Sequence, residues 1–292
     1  MLIIFSTTYE NNTATHVMST PGFKKLLDLL QKKDFFINTN LFLIRYDIRI
    51  LKSLEMEFKK KILESTQHKN GRIMLMCHSR GCSLLLFVLS SMPHFYVYNN
   101  ICGIITISYS MTGTPHDLLA FLTGETRDTD NENAQPNIKH AYHHIETMPY
   151  VLPNKKYTKK IVTIDEKEYT MSELQNYTAA EFEPHHRFHM DKANRRIDEV
   201  ENLLKKRLVP LYVVSGGDDG KENTENSYVL NKDLGLISKG LTFGDGYSPK
   251  DALDYVNQFA TRVKFIVEAN HNNIIQNNKF VDWVKEIMNI RD

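Results

Sequence analysis

Short apolar runs alternate along the chain with segments in which apolar and charged positions recur at helical spacing. The runs are bounded by polar or glycine residues, and several hold no charged residue, which is typical of strands buried on both faces of a sheet. Strands that alternate with helices predict a parallel sheet covered by helices, an α/β architecture. The strands are predicted at 2–5, 41–44, 72–76, 102–107, 208–214 and 263–267, and the helices after Thr20-Pro21 and at about 53–65 and 278–290.

The alternation is interrupted between residues 112 and about 205. The stretch 126–135 is polar, and residues 140–200 hold many of the histidines and charges. Because this region has no long apolar run of its own, we expect a cap or lid inserted over the carboxyl edge of the sheet. The whole chain, 1–292, is then expected to form a single domain.

Composition and charge exclude several classes of protein. The net charge is +1, from 36 basic and 35 acidic residues, so nothing predicts a nucleic-acid partner. No apolar run approaches the ~20 residues of a membrane span, and residues 1–5 are too short for the core of a signal peptide. The chain has an odd number of cysteines, Cys77, Cys82 and Cys102, and all three lie in or beside predicted core elements. We therefore expect buried thiols rather than a disulfide framework.

The segment Cys77-His78-Ser79-Arg80-Gly81 joins a predicted strand to a run, 82–89, that is apolar on every face and predicts a buried helix. Strand, tight turn and buried helix form the context of a nucleophile elbow, in which a strained backbone lifts the serine Oγ clear of the sheet. Gly81 is the small residue that such a turn needs, whereas Cys77 stands where a glycine is usual. Ser79 is the candidate nucleophile, and an ordinary strand–helix turn is the alternative.

A nucleophilic serine needs a base and an orienting carboxylate, which follow an elbow of this kind in the order acid, then histidine. His271 follows the last predicted strand and is the candidate base. Two acids compete, because Asp218 and Asp219 follow the preceding strand while Asp245 lies in a Gly-Asp-Gly loop closer to the histidine. The flanking glycines give the backbone the freedom to aim one carboxylate, so Asp245 is preferred and Asp219 or Asp218 is the alternative.

Several motifs, taken together and in order, resemble the lecithin–cholesterol acyltransferase family, which includes phospholipid:diacylglycerol acyltransferases and lysosomal phospholipase A. Each piece is short, but the ordered set covers nearly the whole chain, and the acid loop is its most specific member. The matching pieces are Pro21-Gly22-Phe23, Tyr46-Asp47-Ile48-Arg49, the elbow, the stretch from Ile104 to Gly124-Glu125, Pro149-Tyr150-Val151-Leu152-Pro153, the loop Gly244–Pro249 and His271.

The resemblance implies an α/β-hydrolase fold and a triad of Ser79, Asp245 and His271, with the N–H of Arg80 as an oxyanion donor. It implies as substrate a lipid acyl ester (phospholipid, glycerolipid or sterol ester), hydrolysed or transferred to an acceptor. It also implies transient contact with a membrane surface and a secretory, lysosomal or membrane-associated location. No metal or organic cofactor is expected, and His185-His186-x-x-His189 is interpreted as a solvated lid segment rather than a metal site.

The start of the chain departs from the family pattern. Family members carry a strand and a glycine-containing loop well before the Pro-Gly-Phe segment, and that loop supplies the second oxyanion donor. Only about 20 residues precede Pro21 here and no such loop is visible, so we expect a shortened N-terminus and slow turnover. The alternatives are a non-catalytic lipid-binding or interaction protein, and a generic small-ester hydrolase that uses Asp219.

Overall fold

The computed structural model describes residues 2–7, 23–32, 41–46, 51–67, 72–125, 135–177, 184–217, 221–233 and 235–290. The strands are β1 Leu2–Thr7, β2 Leu41–Tyr46, β3 Ile73–His78, β4 Ile101–Ile107, β5 Val162–Ile164, β6 Lys167–Tyr169, β7 Leu211–Gly217, β8 Thr224–Leu230, β9 Leu236–Thr242 and β10 Arg262–Val267. The α-helices are α1 Lys24–Lys32, α2 Leu51–Gln67, α3 Arg80–Ser90, α4 His94–Asn100, α5 Pro115–Thr123, α6 Gln135–His144, α7 Met171–Tyr177, α8 Pro184–Lys205, α9 Lys250–Asp254 and α10 Asn278–Met288.

Six strands form a main sheet in the order β10-β7-β4-β3-β1-β2, and every pairing in it is parallel. The predicted parallel sheet is therefore confirmed, and most predicted strands lie within three residues of the observed ones. Since all six strands run the same way, the turns that follow β3, β4, β7 and β10 meet at one edge of the sheet. That edge is where open α/β sheets bind their ligands.

The two faces of the main sheet are covered by different helices. Along β3, Leu75 belongs to the core cluster that also contains buried residues of α2, α3 and α8. Its neighbours Met74 and Met76 point the other way, into a cluster formed with α1 and α10. This alternation is the period of two that a strand imposes, and burial on both faces explains why the strands are continuous apolar runs.

A second, four-stranded sheet has the order β6-β5-β8-β9. Its first two strands come from the expected cap region, 112–205, whereas β8 and β9 follow β7 and were not predicted from the sequence. Strand β8 joins the two pairs of strands, because it lies parallel to β5 and antiparallel to β9. A third core cluster, which includes Phe121, Ile164 and Tyr228, joins this sheet to α5 and α7.

Among the described residues, no single helix combines the length and the apolar character needed to cross a membrane. Helices α3 and α4 meet that criterion as a pair, with a bend of 118° between them. The apolar side chains of α3 between Leu84 and Leu89 are all buried in the core of the main sheet.

Candidate active site

Ser79 lies at the turn between β3 and α3, with φ 53° and ψ −129°. A non-glycine residue at positive φ is sterically costly and is kept only where the surroundings hold it. The backbone N–H of Ser79 donates to the carbonyl of Ile107 at 2.9 Å, and its own carbonyl accepts from the N–H of Cys82 at 2.9 Å. Strand β4 and the first turn of α3 therefore fix the strained serine, which matches the elbow geometry expected from the sequence.

Asp245 lies in a tight loop that follows β9. Gly244 and Pro249 close the loop through an isolated bridge, and the N–H of Gly246 donates to Thr224 Oγ1 at 2.9 Å. The Asp245 side chain is fully buried, and its Oδ1 accepts from the N–H groups of Tyr247 at 3.0 Å and Ser248 at 2.7 Å. The loop thus aims one buried carboxylate and leaves Oδ2 available for another partner.

His271 connects this carboxylate to the serine. Its Nδ1 lies 2.8 Å from Asp245 Oδ2 and its Nε2 lies 2.7 Å from Ser79 Oγ. The N–H of His271 also donates to the carbonyl of Asp245 at 2.7 Å, which ties the two loops together. Because Asp245 accepts at Nδ1, the neutral imidazole carries its proton there and presents a lone pair to the serine hydroxyl.

The electrostatics of Asp245 favour its ionised form. Burial alone would raise the pKa of this carboxyl, but the His271 ring and the N–H donors of Ser248 and Tyr247 hold the pKa below its ordinary value. A buried carboxylate that stays ionised can stabilise a positive charge on the imidazole beside it.

Two rings flank the imidazole of His271. The ring of Tyr247 lies 4.7 Å away at an interplanar angle of 32°, and the ring of His78 lies 5.0 Å away. Nε2 of His78 is 2.8 Å from the carbonyl oxygen of His271, so its N–H donates to that carbonyl. Burial, and then the nearby His271, lower the pKa of His78 to about 3, so this ring is neutral at physiological pH. Both rings therefore position the histidine without adding charge.

Helix α5 brings a further carboxylate to the site. Thr114 caps the helix, Pro115 occupies its first turn and Gly124 ends it in the left-handed conformation. Asp117, in the first turn, accepts from the hydroxyls of Tyr247 at 2.8 Å and Thr114 at 2.6 Å. Its Oδ1 is also 3.4 Å from the guanidinium of Arg80. Burial and then Asp117 raise the pKa of Tyr247 well above its ordinary value, so the phenol stays a neutral donor.

The serine and histidine open into a cavity of about 830 Å³. Its walls come from the loops after β3, β4, β9 and β10, and from the cap region. The cap contributes Thr114, His116, Asp117, Tyr142 and Val151. The volume suits a ligand of moderate size.

The structure brings three of the sequence candidates, Ser79, Asp245 and His271, into one hydrogen-bonded chain. Arg80 is the first residue of α3, so its backbone N–H lies at the helix N-terminus beside the serine. Asp218 and Asp219 lie outside the described residues. His185, His186 and His189 fall on α8, but their side chains are not among those described.

Tyr247 and Asp117 were not predicted from the sequence as site residues. Tyr247 lies two residues after the candidate acid, so its proximity to the site could have been inferred from the Gly-Asp-Gly loop. Asp117 had only a helix-capping signal, Thr114-Pro115-x-Asp117, which reports a helix start and not a contact with a loop 130 positions later.

The expectation for two of the cysteines was wrong. Cys77 and Cys82 form a disulfide on either side of Ser79, with 4.9 Å between their Cα atoms. The tight strand–helix turn brings the two Cα atoms into the range that a disulfide requires, which a separation of five residues does not by itself predict. Cys102 is a free cysteine, and burial raises the pKa of its thiol.

Comparison with solved structures establishes the fold. The chain aligns with the Tle4–Tli4 complex at a TM-score of 0.57 and 12% identity, covering 91% of this chain and 71% of that one. It aligns with the lipase BlEst2 of Bacillus licheniformis at a TM-score of 0.51 and 11% identity, covering 98% and 90%. Together with the sheet order, these matches show the α/β-hydrolase fold that the sequence motifs implied.

Comparison with curated proteins by sequence found no match. A family model described as lecithin:cholesterol acyltransferase matches residues 6–231. This range includes the elbow at Ser79 and ends before Asp245 and His271. The assignment of those two residues to the candidate site rests on their geometry. Because the match spans well over half of the chain and agrees with the fold, the chain belongs to the lecithin:cholesterol acyltransferase family.

Proposed function

We propose that the protein is a lipid acyl-ester hydrolase or O-acyltransferase that works through an acyl-enzyme on Ser79. The observation that carries this proposal is the continuous chain of contacts from Ser79 Oγ through His271 to the buried carboxylate of Asp245, at 2.7 and 2.8 Å. Serine, histidine and acid connected in this way form a nucleophile with its base and the group that orients the base.

In the proposed reaction, Ser79 Oγ attacks the ester carbonyl while its proton passes to Nε2 of His271. The tetrahedral intermediate collapses, the bond to the alcohol oxygen breaks, and His271 gives the proton to the departing alcohol. Water or an acceptor alcohol then attacks the acyl-enzyme, with His271 again taking and returning the proton. Asp245 holds the imidazole in the required tautomer and stabilises its cation.

The oxyanion of the intermediate needs preorganised N–H donors. We assign one donor to the backbone N–H of Arg80, the residue after the nucleophile. Strand β1 runs parallel to β3 with Phe5 opposite Cys77. Because β1 ends two residues later, at Thr7, its last residue lies beside the elbow. The end of β1, at Ser6 and Thr7, is thus the candidate for the second donor, and slow turnover remains a prediction.

We also propose that the chain is one domain in which residues 112–205 act as a cap over the site. Support comes from α5, which starts three residues after the beginning of this region and places Asp117 and His116 in the cavity wall. A cap of this kind excludes water from the reacting groups and selects the substrate.

The test is a pre-steady-state measurement with p-nitrophenyl butyrate, together with mass spectrometry of the quenched protein. The proposal predicts a burst of nitrophenol and a protein heavier by one butyryl group on Ser79. Ser79→Ala should lose both, while the matched variant Ser90→Ala, whose serine is the last residue of α3 and does not line the cavity, should keep both. An unmodified Ser79 during turnover would reject the proposal, and binding of lipid vesicles without turnover would favour a non-catalytic lipid-binding protein.

A further inference from the structure

Strand β10 forms an edge of the main sheet, and one of its two faces carries exposed apolar side chains. The sheet order places β7 on one side of β10 and no described strand on the other. Val263, Phe265 and Val267 alternate along the strand and therefore share a face, which we call the apolar stripe. They are 47, 42 and 48% exposed. A row of exposed apolar side chains on an edge strand is typical of a site that pairs with another chain.

The exposure is confined to one side of β10. On the other side, Ile266 is fully buried in the core cluster that contains the buried side chains of α10. The apolar stripe faces the opposite way, because Val263 is paired with Val213 of β7, which belongs to the cluster formed with α3 and α8. That cluster does not include the stripe. Within the described part of the chain, the stripe therefore lies beyond the helices that cover this face of the sheet.

The backbone of β10 carries hydrogen-bonding groups that β7 does not use. Thr261, just before the strand, donates its N–H to the carbonyl of Leu211 at 2.7 Å. Successive residues of a strand direct their N–H and C=O groups to opposite sides, so the residues of the apolar stripe direct theirs towards β7 as Thr261 does. Lys264 and Ile266 direct theirs to the outer edge, where a strand of a second chain can bind them.

The sequence of β10 complements itself when two copies run antiparallel about Phe265. In that register Phe265 lies opposite its own copy and Val263 lies opposite Val267, so the two apolar stripes form one continuous face. Lys264 lies opposite Ile266, and both have outward backbone groups. A directly opposed pair of this kind exchanges two hydrogen bonds in an antiparallel ladder. The side chains and the backbone thus favour the same register.

The charges at the ends of β10 also favour this register. Arg262 at the start of one strand lies opposite Glu268 at the end of the other, so opposite charges meet at both ends. Both side chains are exposed. A register centred on Lys264 would place two lysines directly opposite each other. One centred on Ile266 would pair Lys264 with Glu268, whose N–H already donates to the carbonyl of Gly217 at 2.9 Å.

We propose that two copies of this chain associate through β10, as an antiparallel pair that joins their main sheets about a two-fold axis. The partner of the apolar stripe is thus the stripe of a second copy, and the charges at the strand ends select it. Two-fold dimers have self-complementary interfaces of this kind, in which one patch serves both subunits. The proposal is independent of the reaction at Ser79.

The experiment reverses the charges at the strand ends and measures the dimer Kd of the full chain by sedimentation equilibrium. Arg262→Glu places acidic residues opposite each other at both ends, and Glu268→Arg places basic residues there. Each variant alone should raise the Kd about tenfold or more. An equimolar mixture of the two should form a heterodimer with a Kd close to that of the wild type, because each end then joins a basic to an acidic residue.

Lys60→Glu is the matched control for the charge. Like Arg262, Lys60 is an exposed basic residue with an acidic partner in its own chain, but it lies on α2, which packs beside β2 at the opposite edge of the main sheet. It should leave the Kd unchanged. Three results would each overturn the proposal: a wild type that is monomeric at ~100 μM, a mixture of the two charge variants that stays monomeric, and equal effects of Lys60→Glu and Arg262→Glu.

The apolar stripe is tested by Phe265→Ser, which should raise the Kd about tenfold or more because the two rings meet at the two-fold axis. Phe95→Ser removes a ring that is 70% exposed on α4 and should not change the Kd. Thermal denaturation shows that each variant is folded. A lipid surface is the other candidate partner, tested by flotation with phosphatidylcholine vesicles. A monomer that binds these vesicles through Phe265, and not through Phe95, would assign the stripe to lipid and overturn the proposal.

Discussion

Replacing Asp245 with asparagine isolates the role of one carboxylate with little change in shape. In the structure Oδ1 accepts the two loop N–H groups of Tyr247 and Ser248, while Oδ2 faces Nδ1 of His271 at 2.8 Å. The asparagine carbonyl is expected to keep the loop donors, which places the NH₂ group against Nδ1. An NH₂ group can only donate, so Nδ1 must give up its proton and Nε2 must carry it instead.

The expected loss follows from that tautomer. With a proton on Nε2, His271 donates to Ser79 Oγ and cannot accept its proton, so acylation loses its base. The same change in a serine protease lowers kcat by about 10⁴, and we expect a loss of similar size, ~5.5 kcal/mol in activation free energy. The loop itself should stay in place, because the backbone bond from His271 N–H to the Asp245 carbonyl does not involve the side chain.

The assay is steady-state hydrolysis of p-nitrophenyl butyrate, with thermal denaturation to show that Asp245→Asn remains folded. Asp117→Asn is the matched control, since it alters another buried carboxylate that accepts hydroxyl donors but does not contact His271. Its effect on kcat should be far smaller. If Asp219→Asn is more damaging than Asp245→Asn, the assignment of the acid is wrong and the generic-hydrolase alternative is favoured.

Two further predictions concern the loops around the site. Gly244→Ala should lower kcat by about 10² in the same assay, because a Cβ there would lie 2.3 Å from the carbonyl oxygen of Ser248 and displace the acid loop; unchanged kinetics would show that the loop tolerates the shift. For His78, the pKa falls from 6.5 to about 3 on folding. Below pH 6.5 the unfolded chain therefore binds a proton that the folded chain does not bind, and the free energy of unfolding decreases as the pH falls. Urea titrations should show that the wild type loses about 2 kcal/mol more than His78→Gln between pH 7 and pH 5, and equal losses would show that the folded protein does not hold His78 neutral.

The parallel sheet was predictable because its strands are buried on both faces. Such strands need continuous apolar sequence, and Ile73–Cys77 is a clear example. The elbow was predictable for a related reason, since a buried strand and a buried helix meet at Ser79 with no room for a longer turn. His271 followed from its place after the last strand of the sheet.

The second sheet was harder to predict because its strands are short or half exposed. In β9 the exposed Ile237 and Leu241 alternate with polar and small residues, a pattern that gives little apolar signal. The contacts of Asp117 and Tyr247 depend on tertiary packing between α5 and the acid loop, which no local pattern encodes. The Cys77–Cys82 pairing similarly depends on the geometry of the turn.

The proposed nucleophile and base are tested most directly by labelling the full chain with a fluorophosphonate, which reacts only with an activated serine. We expect one labelled residue, Ser79, identified by mass spectrometry of the proteolysed protein. Ser79→Ala should abolish labelling, and His271→Ala should slow it strongly, because Ser79 then lacks the base 2.7 Å from its hydroxyl. Labelling of another serine with Ser79 unmodified, or labelling of Ser79 at an unchanged rate in His271→Ala, would contradict the central claim that these residues form a working nucleophile and base.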